Sequence, residues 1–268
     1  MRNANILIFL CFFFLIGFSG FIQGKEQTLT FVIFGDCHIS DKDNPDSTIL
    51  KKIIQKIGQK TPEAQFAINL GDIVAVEKNP IIYEKALENY FTLIKDLKIP
   101  IYHIPGNHDM VNDKKIQEIY KKNMGPLYYA IEKENMLLVF LNSERLDKVQ
   151  IQWLNDILNG SFKTKMVFIH RPVYPVYPVY YDISDIKNFA LLRQILNEKN
   201  VTEIFSGHEH IFYTQKNGKI LQVISGGAGG RLIPAPLAGK SIFHYCAVYV
   251  NNGQVSVKAI PIDDNEIK

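Results

Sequence analysis

Gly207-His208-Glu209-His210 sets two histidines two residues apart, behind the apolar Ile204-Phe205, as metal ligands stand at a strand end. Four more blocks of the same character precede it: Asp36-Cys37-His38, Gly71-Asp72, Gly106-Asn107-His108-Asp109 and His170-Arg171-Pro172. Each begins where an apolar run stops. Asp36, His38, Asp72, Asn107, His170, His208 and His210 together offer oxygen and nitrogen donors and no thiolate. If one carboxylate bridges, two divalent ions can each take four protein donors from this set. Such a mixture suits Mn, Fe or Zn, whereas Ca and Mg would want more oxygen. Read as extended chain, Asp36 and His38 point to one side and Cys37 to the other, and the same alternation turns Glu209 away from His208 and His210. Glu209 is therefore expected to tolerate substitution, and Cys37 not to ligate.

The elements that must deliver these residues follow from periodicity. Leu29 to Phe34, Gln65 to Leu70 and Ile101 to Ile104 read as short strands. Between them, Ser47 to Gly58, capped by Ser47 or Asp46, and Pro80 to Leu97 carry apolar residues at helical spacing. Strand and helix in alternation imply a parallel sheet whose C-terminal edge presents the ligands. Leu127 to Ile131 and Met136 to Leu141 form a hairpin, and Gln150 to Leu158 a helix. The strand Lys165 to Ile169 runs into His170, the helix Ser184 to Glu198 follows, and Val201 to Phe205 leads into the opening motif. The remainder reads as β: Ile211 to Gln215, Lys219 to Ile224, Phe243 to Val250 and Gln254 to Ile260. Gly226 to Gly230 precedes no helix, so it is a turn packed under the ligand loops rather than a phosphate loop. His103 and His244 fall inside strands and read as structural.

The order Asp-x-His, Gly-Asp, Gly-Asn-His-Asp, His, Gly-His-x-His resembles the calcineurin-like metallophosphoesterase family across most of residues 28–262. The resemblance implies an α/β fold, a four-layer α-β-β-α sandwich of two mixed sheets flanked by helices. It implies that Asp36, His38 and His210 hold one metal and Asn107, His170 and His208 the other, with Asp72 bridging. It further implies a hydrolase in which a metal-bridging hydroxide attacks a phosphomonoester or phosphodiester. His108 would be the general acid, with Asp109 fixing its tautomer. Asn107 would face the substrate as well as a metal. The rival within the same fold is a catalytically silent metal-bound scaffold, against which the full ligand set speaks. Purple acid phosphatases carry a Tyr shortly after the bridging Asp; here Ile73-Val74-Ala75 stands instead, so a colourless centre is expected.

Arg171 would bind a substrate phosphate or make a surface pair. The Tyr/Pro stretch from Tyr174 to Tyr181 is a lid or a stiff connection. At the N-terminus, Arg2, the apolar run Ile6 to Phe18 and the small residues to Gly24 describe a secretory signal over residues 1–24, or an uncleaved membrane anchor. Either way the domain would work outside the cytoplasm, periplasmic or secreted. Cleavage would also remove Cys11 and leave Cys37 and Cys246, paired or buried as free thiols. With 268 residues, 47% hydrophobic and 21% charged, the chain supports one large domain, and its net charge of +3 forms no nucleic-acid groove. A small phosphoester substrate is expected, and no nucleic-acid duplex.

Overall fold

A computed structural model of the chain describes residues 28–42, 44–75, 77–177 and 183–263, with side chains of 183–187 left aside. The N-terminal segment 1–24 and the end of the Tyr/Pro stretch therefore lie outside the described residues. Within them, no helix is long and apolar enough to cross a membrane.

Among the described residues the first sheet holds five strands and the second six. β1 (Thr28–Phe34), β2 (Ala67–Asn69) and β3 (Ile101–His103) pair in parallel, and β10 (His244–Asn251) and β11 (Gln254–Pro261) extend the sheet antiparallel beside β1. In the second sheet β5 (Met136–Leu141), β6 (Thr164–Ile169), β7 (Glu203–Ser206) and β9 (Ile220–Ser225) are parallel. It is flanked by antiparallel β4 (Tyr129–Lys133) and β8 (Phe212–Asn217).

Alternation along the strands makes three apolar layers. Phe31 and Ile33 of β1 meet Leu138, Phe140, Met166, Phe168 and Phe205 between the sheets. Phe140, Phe168 and Phe205, from three neighbouring strands, stack at centroid distances of 5.0 and 5.1 Å. Val32 and Phe34 face the other way, under α1 (Pro45–Lys60), α2 (Pro80–Ile94) and α3 (Lys114–Met124). Leu137, Val139 and Leu141 pack with Leu154 of α4 (Lys148–Ile157), with Leu158 just after it, and with Leu192 and Leu196 of α5 (Ile183–Glu198). The molecule is an α-β-β-α sandwich, as expected.

Two local readings change, and for the cysteines the free-thiol alternative is the one found. α1 starts at Pro45 and its cap is Asn44, whose side chain accepts from Ser47 N at 2.9 Å, so Ser47 lies inside the first turn. α3 was not foreseen: only Ile116 and Tyr120 of it are buried, too thin a stripe to stand out, although Asp113 caps it. Cys37 and Cys246 are free, buried in different apolar layers, and have different neighbours: Asn69 Nδ2 donates to the first, and the second donates to Ser225 Oγ.

Candidate metal centre

Parallel strands from both sheets end at a common edge. After β1 comes Asp36, after β2 Asp72, after β3 Asn107; after β6 comes His170 and after β7 His208. The ends of the two sheets are tied together by cross-sheet bonds. His208 N donates to the Asp36 carboxylate at 3.0 Å, and His170 Nδ1 lies 2.8 Å from Leu70 O.

The donor atoms gather into overlapping groups. Asp36, His38 and His210 form one, Asp72, His170 and His208 another, and Asp72 also joins His38 and His108. Asp72 Oδ2 lies 3.4 Å from His170 Nε2, 3.6 Å from His38 Nε2 and 3.9 Å from His108 Nε2. Asn107 Oδ1 stands 3.1 Å from His170 Nε2. Asp36 Oδ1 stands 3.4 Å from His210 Nε2.

These residues converge for a reason the alternation argument missed. Asp36, His38, Asp72 and His208 all have positive φ, at 63°, 49°, 50° and 67°. They are left-handed turns, not extended chain, and such backbone conformations persist only where the surroundings enforce them. The glycine loop helps to enforce them. A Cβ on Gly230 would lie 2.7 Å from the His210 ring, and one on Gly226 would lie 2.6 Å from Glu209 O. The loop is packed directly beneath the ligand turns.

Whether the set fits metal can be tested on the ring nitrogens. His170 Nδ1 and His210 Nδ1 face backbone carbonyls, Leu70 O and Arg231 O, each at 2.8 Å, which fixes both rings and aims Nε2 at the aspartates. His38 Nε2 is buried without a hydrogen-bond partner. A buried nitrogen without a hydrogen bond, beside a carboxylate, fits a donor set able to bind a cation.

The electrostatics agree. Burial lowers His38 to about 4, and burial with the charges of His170 and Arg171 lowers His208 to about 3, so both rings are neutral and able to ligate. Burial alone would lower His170 and His210 too, but Asp72 raises His170 to about 10 and Asp36 raises His210 to about 9. Burial would likewise raise Asp36 and Asp72, yet His210 holds the first below the carboxylate range and His170 the second. The two raised imidazoles thus stand as ion pairs beside the two lowered carboxylates.

Two role assignments change. Asp109 does not reach the His108 side chain, whose Nδ1 is buried without a partner. The Asp109 carboxylate instead accepts from Gly106 N at 2.9 Å, Ile73 N at 3.1 Å and Val74 N at 3.4 Å. It pins the turn after β2 to the turn after β3. Glu209 is fully buried, and its carboxylate accepts from Val176 N at 3.0 Å and Tyr177 N at 2.8 Å. It is a strut for the Tyr/Pro loop, and the expectation of tolerance there is overturned.

Asn142-Ser143-Glu144, polar residues directly after β5, were missed. The signal was the same as for the other blocks, an all-apolar strand ending in polar side chains. Glu144 grips Arg171, with Nε on Oε1 at 2.8 Å and Nη2 on Oε2 at 3.0 Å, while Arg171 Nη1 lies 3.2 Å from His208 Nε2.

Comparison with known proteins adds to this geometry. A probable cyclic nucleotide phosphodiesterase of Fibrobacter succinogenes is 29% identical over 44% of this chain and 48% of its own. Another probable cyclic nucleotide phosphodiesterase, of Psychrobacter arcticus, is 28% identical over 59% of this chain and 61% of its own. The matched stretch thus spans about half to three-fifths of those relatives. Among solved structures, a purple acid phosphatase from yellow lupin superposes with a TM-score of 0.72 at 14% identity. That match covers 91% of this chain and 53% of the other. A dimetal phosphatase from Danio rerio gives 0.64 at 15%, covering 88% and 99%. Those likenesses show a shared fold. The model of the calcineurin-like phosphoesterase family matches residues 29–212, and the chain belongs to that family.

Proposed function

We propose that the chain is an exported hydrolase of phosphoric esters that works with two divalent ions, Mn, Fe or Zn, on a small phosphoester. The observation that carries this reading is Asp72, a buried carboxylate shared between His38 on one side and His170 and His208 on the other. Asp36, His38 and His210 would hold one ion, Asn107, His170 and His208 the other. The ions would supply an activated water and neutralise charge on the phosphoryl oxygens.

The chain's own residues do the rest. His108 N donates to Asp72 Oδ1 at 2.8 Å, which holds the bridging carboxylate and the general-acid residue in one register. The His108 side chain is 26% exposed, open enough to hand a proton to a leaving oxygen. Arg171 supplies N–H groups for a phosphoryl oxygen. The two curated relatives favour a phosphodiester, and a cyclic nucleotide is the first substrate to try.

The purified chain with Mn²⁺ is expected to cleave bis(p-nitrophenyl) phosphate or p-nitrophenyl phosphate. A folded, metal-loaded protein inert towards both esters and towards cyclic nucleotides would sink the reading. N-terminal sequencing of the protein recovered outside the cytoplasm tests export, and retention inside the cytoplasm would count against it.

A further inference from the structure

We propose that a cavity beside the metal centre is a second subsite, which seats a further phosphate of the substrate. The favoured substrate is then a phosphodiester that carries a second phosphate, as a 5′-phosphorylated dinucleotide does. This rests on the phosphoesterase reading above and names its substrate class.

The cavity holds about 530 Å³, and its lining includes Lys121, Leu127, Tyr128, Asn142, Arg145 and Asp147. It lies at the strand edge that bears the ligands. Asn142 follows Leu141 of β5, which pairs with Ile169 of β6, so Asn142 stands one strand along from His170, at a strand spacing of about 4.8 Å. The two turns touch, since Ser143 Oγ accepts from Arg171 N at 3.2 Å. On the other side Tyr128 leads into β4, whose Tyr129 hydroxyl accepts from His103 N at 3.2 Å and donates to His103 O at 3.0 Å. His103 ends β3, and Asn107 follows in the next turn. The cavity is thus bordered by segments tied to those that carry Asn107 and His170.

Its lining has donors to spare. Asn142 is only 3% exposed, and most of its polar atoms are engaged. Oδ1 accepts from Glu144 N at 3.0 Å, while N and O bond to the Gln150 side chain at 2.8 and 3.0 Å. The bond to Oδ1 fixes the orientation of the amide and leaves Nδ2 with no partner among the described residues. Lys121 Nζ has none there either. Arg145 spends Nε on Asp147 Oδ2 at 2.9 Å, and Asp147 Oδ1 is taken by Gln150 N at 3.0 Å. Two cations stand against one carboxylate, so the lining carries one positive charge in excess. Those donors suit a phosphate oxygen, yet a phosphate alone would leave most of the space to water. The volume is that of a site for a drug-sized molecule, about 300–1,000 Å³. Leu127 and Tyr128, whose ring lies 4.9 Å from that of Trp153, add a wall for a flat apolar group. A phosphate joined to a ring is a nucleotide.

The test uses full-length protein with Mn²⁺ bound, its metal content measured first. Chromatography follows cleavage of the internucleotide bond in two dinucleotides that differ only at one end, ApA and its 5′-phosphorylated form pApA. Wild type is expected to show a KM about tenfold lower for pApA than for ApA. Lys121→Ala is expected to raise the pApA KM about fivefold, an effect that fades at high salt. Asn142→Asp keeps an oxygen for Glu144 N but sets a carboxylate where a donor stood, and should raise it further. Lys216→Ala, the same charge lost on β8 at the opposite edge of the sheet, should keep the full preference. Equal KM for the two dinucleotides, or cleavage of bis(p-nitrophenyl) phosphate and of neither dinucleotide, would overturn the subsite. A preference for pApA that survives both Lys121→Ala and Asn142→Asp would overturn its placement in this cavity. Metal-loaded wild type inert towards every diester would instead refute the underlying reading, and is distinguishable from both.

Discussion

His38 is mostly buried and His103 fully so, and burial holds both near a pKa of 4, yet they do different things. His103 Nε2 pairs with the Tyr90 hydroxyl at 3.0 Å. His244 is satisfied likewise, with Nε2 at 3.0 Å from Ser225 Oγ and Nδ1 at 2.9 Å from Ile242 O. His38 Nε2 has no hydrogen-bond partner and looks across 3.6 Å at a buried carboxylate. Neither burial nor a lowered pKa separates a ligand from a core histidine. The difference is where the ring nitrogen goes, into the protein's own hydrogen bonds or into a space several donors share.

The largest effect expected from that contrast is on metal and turnover together. His210→Ala should lose at least a thousandfold in phosphoesterase rate and one ion per chain by metal analysis. His208→Ala should deplete the other ion. His244→Ala should cost about 1–3 kcal/mol in denaturant unfolding and keep both ions. Equal metal loss in His244→Ala would erase the distinction between the two kinds of histidine.

A smaller effect is expected from pH on the metal-free protein. His38, His103, His208 and His244 sit near 4, 4, 3 and 4, below the 6.5 of an unperturbed histidine. As pH falls from 6.5 to 4 the unfolded chain takes up protons that the folded chain refuses, so stability is lost. Asp109 and Glu203, each lifted to about 7 by burial, oppose this loss without cancelling four histidines. His170 and His210, near 10 and 9, keep protons that the unfolded chain releases above pH 6.5, so stability is also lost as pH rises. Tm of chelated protein should therefore peak near neutrality, and saturating Mn²⁺ should remove the alkaline fall. A Tm that climbs steadily from pH 6.5 to 9 without metal would show that His170 and His210 are neutral like His103.

The smallest effect concerns the strut. Glu209→Ala removes the carboxylate that accepts from Val176 N and Tyr177 N and should cost about 1–2 kcal/mol. Amide exchange at those two positions should quicken while metal content holds. Unchanged exchange would restore the view of Glu209 as a bystander.

Much of the site was legible because strand ends are local signals. Apolar runs stop at Gly35-Asp36, Leu70-Gly71-Asp72 and Ile169-His170, and a parallel sheet sends all such ends to one edge. The layers were legible for the same reason, since period-two alternation sorts Phe31 from Val32 without reference to anything distant. Asp109 was misread because its neighbour in sequence, His108, was the only partner in view. Besides Gly106 in the same motif, its actual partners are Ile73 and Val74, 36 and 35 residues away.

What the sequence determined by itself is therefore the kind of donor at each strand end and the sheet that gathers them. Tertiary structure alone decided how the donors are aimed. His208 N meets Asp36 across 172 residues, the left-handed turns at Asp36 and His38 are held by packing against the glycine loop, and Arg171 is gripped by Glu144, 27 residues earlier. The physical reason is one of range. Side-chain alternation is fixed by neighbouring φ and ψ, whereas a strained turn or a shared carboxylate exists only once distant segments have closed around it.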